Sequence, residues 1–347
     1  MLTQVVWSIG LFAVFNFAAH DDVELLIHRL QSVSESELHV YKLKDDRGRG
    51  MDCLKVFQPA VAPQAGVYYG VYHNYQQGVL VSHLARSKDL VTWTHLVELD
   101  KNASQPAIHS CDNGGFLLAY EHDEPNSVWI RIRYYEDLAA LIAGQFQRQC
   151  DIPRTLAPTA EGTPSFESVR LGNAGIASSE IELRFHYYWN MDVDQLASGT
   201  LTNFESWEAE PARDLNSAMR EQDWRGNLGD RDKFHWKNQT YYLQEIQRIK
   251  GDWSSWRLGL CDAQGRLLQP LKIQTHQGST AFSNPHITWV RDSNEQAKIV
   301  VTLFLHSNGN PPEERGVLLY VIDPAERLKR LPQGFKAAPG SLSNLVN

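Results

Sequence analysis

Four short phrases recur along the chain: Phe57-Gln58-Pro59-Ala60-Val61, Ser104-Gln105-Pro106-Ala107-Ile108, Gly162-Thr163-Pro164-Ser165-Phe166 and Ser283-Asn284-Pro285-His286-Ile287. Each sets a polar residue before a proline and then starts an apolar strand. The first three lead into an aromatic strand: Gly66-Val67-Tyr68-Tyr69-Gly70-Val71-Tyr72, Gly115-Phe116-Leu117-Leu118-Ala119-Tyr120 and Leu183-Arg184-Phe185-His186-Tyr187-Tyr188-Trp189. A β unit repeated at this length buries neither face alone and predicts a radial β-architecture. The polar slot of each unit then converges on a central site.

Working outward, strand signals divide the chain into five units, at about 52–97, 100–150, 155–210, 226–270 and 280–325. Packed face to face in a closed ring, they give an all-β, five-bladed β-propeller. An element near Glu37-Leu38-His39-Val40-Tyr41 is expected to complete the last sheet, and residues 23–33 read as helical. Residues 1–19 read either as a secretory leader, with Ala18-Ala19 as its cleavage edge, or as a buried N-terminal strand; 20–347 then form one propeller domain. The first reading predicts a secreted or periplasmic protein, the second allows a cytoplasmic one.

Composition narrows the partners. A net charge of −8 on 347 residues argues against nucleic acid or an anionic membrane surface as the main partner. The apolar run at 4–19 is too short for a membrane span. Ten Trp and thirteen Tyr supply core and also suit sugar faces. The four cysteines, Cys53, Cys111, Cys150 and Cys261, form no CxxC pair, which argues against a zinc cluster. Oligomeric state is not legible.

Ser87-Lys88-Asp89-Leu90-Val91-Thr92-Trp93 resembles the S-x-D-L-x-x-W phrase of five-bladed β-propeller glycosidases, glycoside hydrolase families 43, 32, 62 and 117. Thr202-Asn203-Phe204-Glu205-Ser206-Trp207 is a looser copy, and Glu161-Gly162-Thr163-Pro164 resembles the E-G-P or E-G-T-P phrase whose glutamate is the general acid. The resemblance spans about 50–325 and implies a carbohydrate substrate. It also implies an aspartate base or nucleophile in the first slot and a second aspartate supporting the acid. Gln58 and Gln105 stand in those slots, and an amide is neither base nor carboxylate nucleophile.

The missing base must then come from elsewhere. Asn227-Leu228-Gly229-Asp230-Arg231-Asp232 opens the fourth unit without the proline phrase. Asp230 or Asp232 would activate water or attack the anomeric carbon, with Arg231 tuning it or gripping an acidic substrate. Asp52 is a further candidate base. Gln58, Gln105 and Asn284 would bind sugar hydroxyls, with His73, His109, Tyr187 and Trp189 around the channel. The resemblance implies that His286 can ligate a metal, such as a structural calcium in the central channel; the hydrolysis itself requires no cofactor.

The expected function is hydrolysis of a glycosidic bond by carboxylate acid/base chemistry, with Glu161 protonating the leaving oxygen. Two alternatives stand beside it. One is a polysaccharide lyase acting on a uronate glycan, using Arg184 or Arg231 with His73, His109 or Tyr187. The other is a carbohydrate-binding propeller without catalysis. Phosphate loops, nucleophile elbows and dinucleotide fingerprints are absent from the sequence.

Overall fold

A computed structural model describes residues 22–325; the apolar run at 4–19 lies outside them. Strand β1 (Leu38–Val40) precedes four consecutive sheets. Blade one holds β2 (Asp52–Phe57), β3 (Tyr68–Gln76), β4 (Val79–Ser87) and β5 (Trp93–Lys101). Blade two holds β6 (Ala103–Ser110), β7 (Phe116–Glu124), β8 (Ser127–Tyr135) and β9 (Arg148–Asp151). Blade three holds β10 (Glu161–Gly172), β11 (Gly175–Trp189), β12 (Val193–Thr202) and β13 (Ser206–Pro211). Blade four holds β14 (Leu228–Trp236), β15 (Gln239–Gln247), β16 (Trp256–Cys261) and β17 (Leu267–Pro270). Blade five is β18 (Phe282–Arg291), β19 (Ala297–Leu305) and β20 (Gly316–Ile322), and β1 pairs antiparallel with β20 to complete it. The ring is thus closed by an N-terminal strand, as the sequence predicts. Helix α1 covers 22–31, α2 Leu138–Ile142 and α3 Arg213–Glu221.

Period-two alternation explains the packing. On β3, Tyr68 and Tyr72 point into the cluster shared with blade five, while Tyr69 and Val71 point into the one shared with blade two. On β7, Phe116, Leu118 and Tyr120 face blade one, whereas Leu117 and Ala119 face blade three. Each pair of neighbouring blades encloses such a cluster. A fully buried aromatic or aliphatic side chain there contributes roughly 1.5–3 kcal/mol. The S-x-D-L-x-x-W phrase plays a structural role. Asp89 Oδ1 accepts the N–H of Val91 and Thr92, and Leu90 and Trp93 are buried between blades one and five. Gly70 makes room for this, since a Cβ there would lie 2.6 Å from Leu54 Cδ1 and 3.0 Å from Trp93 Cζ3.

The innermost strands β2, β6, β10, β14 and β18 contact one another in sequence round the ring. They all run in the same sense along the axis. Residues at their starts therefore face one mouth, here the entry mouth, and residues at their ends face the other, the exit mouth. All four cysteines are free. No helix among the described residues is long and apolar enough to cross a membrane.

Candidate functional site

Every inner strand carries a bulge at the same register. The irregularity falls between Asp52 and Lys55, Ser104 and Ala107, Gly162 and Ser165, Leu228 and Arg231, and Ser283 and His286. The residues that open the bulges are Cys53, Gln105, Thr163, Gly229 and Asn284. Four of them take positive φ: 55° at Cys53, 50° at Gln105, 47° at Thr163 and 45° at Asn284. This corrects the alignment of the first unit. The blade-one slot is Cys53-Leu54, not Gln58-Pro59. The bulge demands an unusual backbone turn rather than a proline, and Leu54 and Asp230 occupy the proline position in blades one and four. Asn284 Nδ2 donates to Gln105 Oε1 at 2.5 Å. That bond joins blades five and two, which are not neighbours, so the slots do meet on the axis.

A bulge removes an N–H from the ladder, and a buried N–H needs an acceptor. Here the acceptor comes from the second strand of the preceding blade. His73 Nδ1 accepts the Gln105 N–H at 3.2 Å. Glu121 Oε1 accepts both the N–H and the hydroxyl of Thr163 at 2.6 Å. Glu245 Oε2 accepts the Asn284 N–H at 3.0 Å and the Asp230 N–H at 3.2 Å. His73 must be neutral to accept at Nδ1, and burial agrees by pushing its pKa down to about 4.

The entry mouth consequently concentrates carboxyl groups. Ser104 Oγ lies 3.1 Å from Glu121 Oε2 and 2.8 Å from Asp123 Oδ2. Burial, then the Glu121 charge, raises Asp123 to about 7. Burial alone raises Asp52 to about 6. Burial, then Asp230, raises Glu245 to about 8. His186 Nε2 stands 4.0 Å from Glu121 and 3.8 Å from Asp194.

The sequence-predicted site is divided between the mouths. Asp52, His73, Gln105 and Asn284 belong to the entry side. His109, Arg231, Asp232 and His286 line a cavity of about 280 Å³ at the exit, with Phe166 and Trp289. Glu161 is anchored through one carboxyl oxygen, while its Oε2 is enclosed without a hydrogen-bond partner. The residue is 1% exposed, and Oε1 accepts the N–H groups of Thr155, Leu156 and Ala157 at 2.7, 2.5 and 2.9 Å, anchoring the loop before β10. Gln58 is likewise consumed. Its amide donates to Val67 O and Arg291 O and accepts the Arg291 N–H.

Asp230 is buried against Lys55 Nζ at 2.5 Å, and the same ammonium reaches Pro285 O at 2.8 Å. Burial opposes the Lys55 charge, but Asp230 outweighs it and the Lys55 pKa rises. Asp232 Oδ2 accepts the Ile287 N–H and lies 2.6 Å from His286 Nδ1. Burial would raise Asp232, yet His286, Lys55 and that N–H hold it low. His286 Nε2 donates to Val56 O at 2.7 Å, so both ring nitrogens are engaged and neither suits a metal. Among the described residues, no group of three or more His, Cys, Asp or Glu is placed to hold a metal ion.

Among the described residues no carboxylate lies within ion-pair distance of Arg231, whose guanidinium lies over the Tyr242 ring at 4.0 Å. Tyr187 is core, with its hydroxyl 3.5 Å from Gln195, and Trp189 carries Arg220 over its ring. Of the lyase constellation, Arg231 and His109 share the exit cavity, whereas His73 belongs to the entry mouth. Arg184 stands 3.7 Å from Glu167 on the innermost strand of blade three. The residues that sequence reasoning missed are Ser104, Glu121, Asp123, Asp194 and Glu245. One signal was available: the second strands of units two and four both end in acids, Tyr120-Glu121-His122-Asp123 and Gln244-Glu245.

No family model matches the chain, and no curated protein matches it. Solved structures do. A structure described as a glycoside hydrolase aligns over 89% of this chain and 97% of its own, at 10% identity and a TM-score of 0.57. A second, described as a complex with RGII, aligns over 89% of this chain and 96% of its own, at 10% identity and a TM-score of 0.58. The chain shares its five-bladed β-propeller fold with these solved structures.

Proposed function

We propose that the chain binds carbohydrate at the entry mouth and hydrolyses a glycosidic bond there, with Asp123 as proton donor and Asp52 as base. The observation that carries this is the Ser104 bridge. It fixes Asp123 beside a second carboxyl group; burial, then the Glu121 charge, keeps the proton on Asp123 to about pH 7. Asp52, on the neighbouring blade, loses its proton at about 6. Two carboxyl groups whose environments separate their protonation are what acid/base glycoside hydrolysis needs. Asp123 gives its proton to the leaving oxygen, Asp52 takes one from the attacking water, and proton exchange with solvent resets both. Glu121 is a positioning residue, since its Oε1 is committed to Thr163.

The test is sugar release from a panel of plant and bacterial glycans by Asp123→Asn and Asp52→Asn. Loss of about a hundredfold or more in each, with glycan affinity kept, is expected. An Asp123→Asn variant as active as the parent overturns the assignment.

A second reading is carbohydrate binding without turnover. It is favoured by the slot contents, Cys53, Gln105, Thr163, Gly229 and Asn284, none of which is a carboxylate. It is favoured too by the Gln105–Asn284 bond across the axis. It predicts glycan affinity with no product at any enzyme concentration.

A further inference from the structure

We propose that the entry mouth takes an extended, uncharged glycan chain, and that Trp253 is a stacking platform for it at the rim of blade four. This rests on the carbohydrate reading above and deepens it to a class of chain.

The large apolar side chains more than half exposed among the described residues are Tyr75, Met191, Ile249 and Trp253. All four lie at one end of the ring. Second strands run antiparallel to the inner ones: His73 pairs with Asp52, Tyr187 with Glu161 and Ile246 with Leu228. The ends of β3, β11 and β15 therefore reach the entry mouth, and the four exposed side chains sit at or just past those ends. Lys250 pairs with Asp192, which joins the Met191 turn of blade three to the Trp253 turn of blade four. The rim is continuous with the proposed site, since Tyr75 lies two residues past His73 and Ile249 four past Glu245.

The turn that presents Trp253 is fixed before any ligand arrives. Ser255 Oγ accepts the Ile249 N–H at 3.1 Å and donates to Asp252 O at 2.7 Å. Asp252 Oδ1 accepts the Ser254 N–H at 2.9 Å, and Gln247 Nε2 donates to Asp252 O at 3.2 Å. From blade five, His306 backs the indole with ring centroids 5.2 Å apart, and it lies in turn against Trp256 and Phe304. Gly309 lets the His306 loop close on this turn, because a Cβ there would stand 3.3 Å from Ser254 Cα. Burial lowers His306 to about 4, so the backing ring is uncharged near neutrality. An indole that is exposed yet already held in place loses little entropy on binding.

Separate apolar side chains on separate loops suit a chain that offers one small C–H face per sugar. A protein partner calls instead for one contiguous apolar patch. The indole, with an apolar body and an N–H tip, matches a pyranose ring with its C–H face and hydroxyl edge. Charge then selects among glycans. Asp52, Glu121, Asp123 and Asp194 gather at this mouth, and their field opposes a polyanion.

The experiment is affinity electrophoresis of the full chain through gels holding arabinoxylan, galactan, mannan, β-glucan or polygalacturonate. Calorimetry follows with the polymer that retards it most. At least one uncharged polymer is expected to retard the parent, and polygalacturonate is not. Trp253→Ala is expected to bind that polymer about tenfold more weakly, and Trp253→Phe, which keeps a ring, within about threefold of the parent. Retardation by polygalacturonate as strong as by any uncharged polymer overturns the charge assignment. Parent-like affinity in Trp253→Ala, or a parent that no uncharged polymer retards, overturns the platform. Trp253→Phe as weak as Trp253→Ala overturns stacking as its basis. Asp123→Asn should bind the polymer as the parent does. If it also hydrolyses as the parent does while Trp253→Ala binds weakly, only the catalytic reading falls.

Discussion

Glu121 and Thr163 lock the second blade to the third through one oxygen: Oε1 accepts the Thr163 N–H and its hydroxyl, both at 2.6 Å. Thr163 sits at φ 47°, where its N–H has left the sheet ladder. Removing the acceptor strands a buried donor, and bonds to a charged group are worth about 1.5–3 kcal/mol each. Glu121→Ala is therefore expected to cost about 3 kcal/mol in urea unfolding. Glu124→Ala, exposed at the end of the same strand, should cost under about 0.5 kcal/mol. Equal losses would show that the clamp adds nothing.

Lys55 and Asp230 make the corresponding link between the first and fourth blades at 2.5 Å, both almost fully enclosed. Breaking a buried pair on one side typically costs about 3–5 kcal/mol, because the remaining charge loses its partner. Lys55→Met should fall in that range. Asp230→Asn added to Lys55→Met should recover part of the loss. A double variant no better than the single one would mean that Lys55 acts mainly through Pro285 O.

These links bear on what the sequence could disclose. The ring was legible because its cause is local. Glycine at 70, aromatics at 68, 69 and 72, and Leu90 with Trp93 announce strands that pack on both faces. The closing strand was legible as an unpaired alternating segment before the first unit. The site was not, for a geometric reason. The bulge is set by backbone conformation, which Cys53 and Leu54 satisfy as well as Gln105 and Pro106. Proline therefore marked a false slot at Gln58. The partners of Glu161 Oε1 were not legible either, since they lie on a loop at 155–157 that folds back onto it. Glu121 and Glu245 act across blades, a relation that strand periodicity does not carry.

The proposed acid and base predict a narrow pH profile. Asp52 must be ionised, which requires pH above about 6, and Asp123 protonated, which requires pH below about 7. Turnover should be bell-shaped with its maximum near the middle of that window. Ser104→Ala removes the hydroxyl between Asp123 and Glu121 and leaves them repelling directly, so the alkaline limb should move to higher pH. An alkaline limb that does not move in Ser104→Ala would separate that limb from Asp123.

Glu245 makes stability depend on pH in a definite direction. Its carboxyl accepts two backbone N–H groups at the junction of blades four and five, yet burial and Asp230 raise it from 4.5 to about 8. A folded-state pKa above the unfolded one means that the native protein holds the proton more tightly. Its contribution is fully present below about pH 4.5 and is lost as pH rises toward about 8. The same sign applies to Asp123 and Asp52 over the shorter intervals from 3.8 to about 7 and about 6. Melting temperature should thus fall from pH 5 toward about 8, opposite to the behaviour of carboxylates stabilised by ion pairs. Glu245→Gln keeps an oxygen for the two N–H groups and cannot ionise, so its melting temperature should be flatter with pH and should exceed the parent's near the alkaline end. A parallel fall in both proteins would assign the slope to other groups.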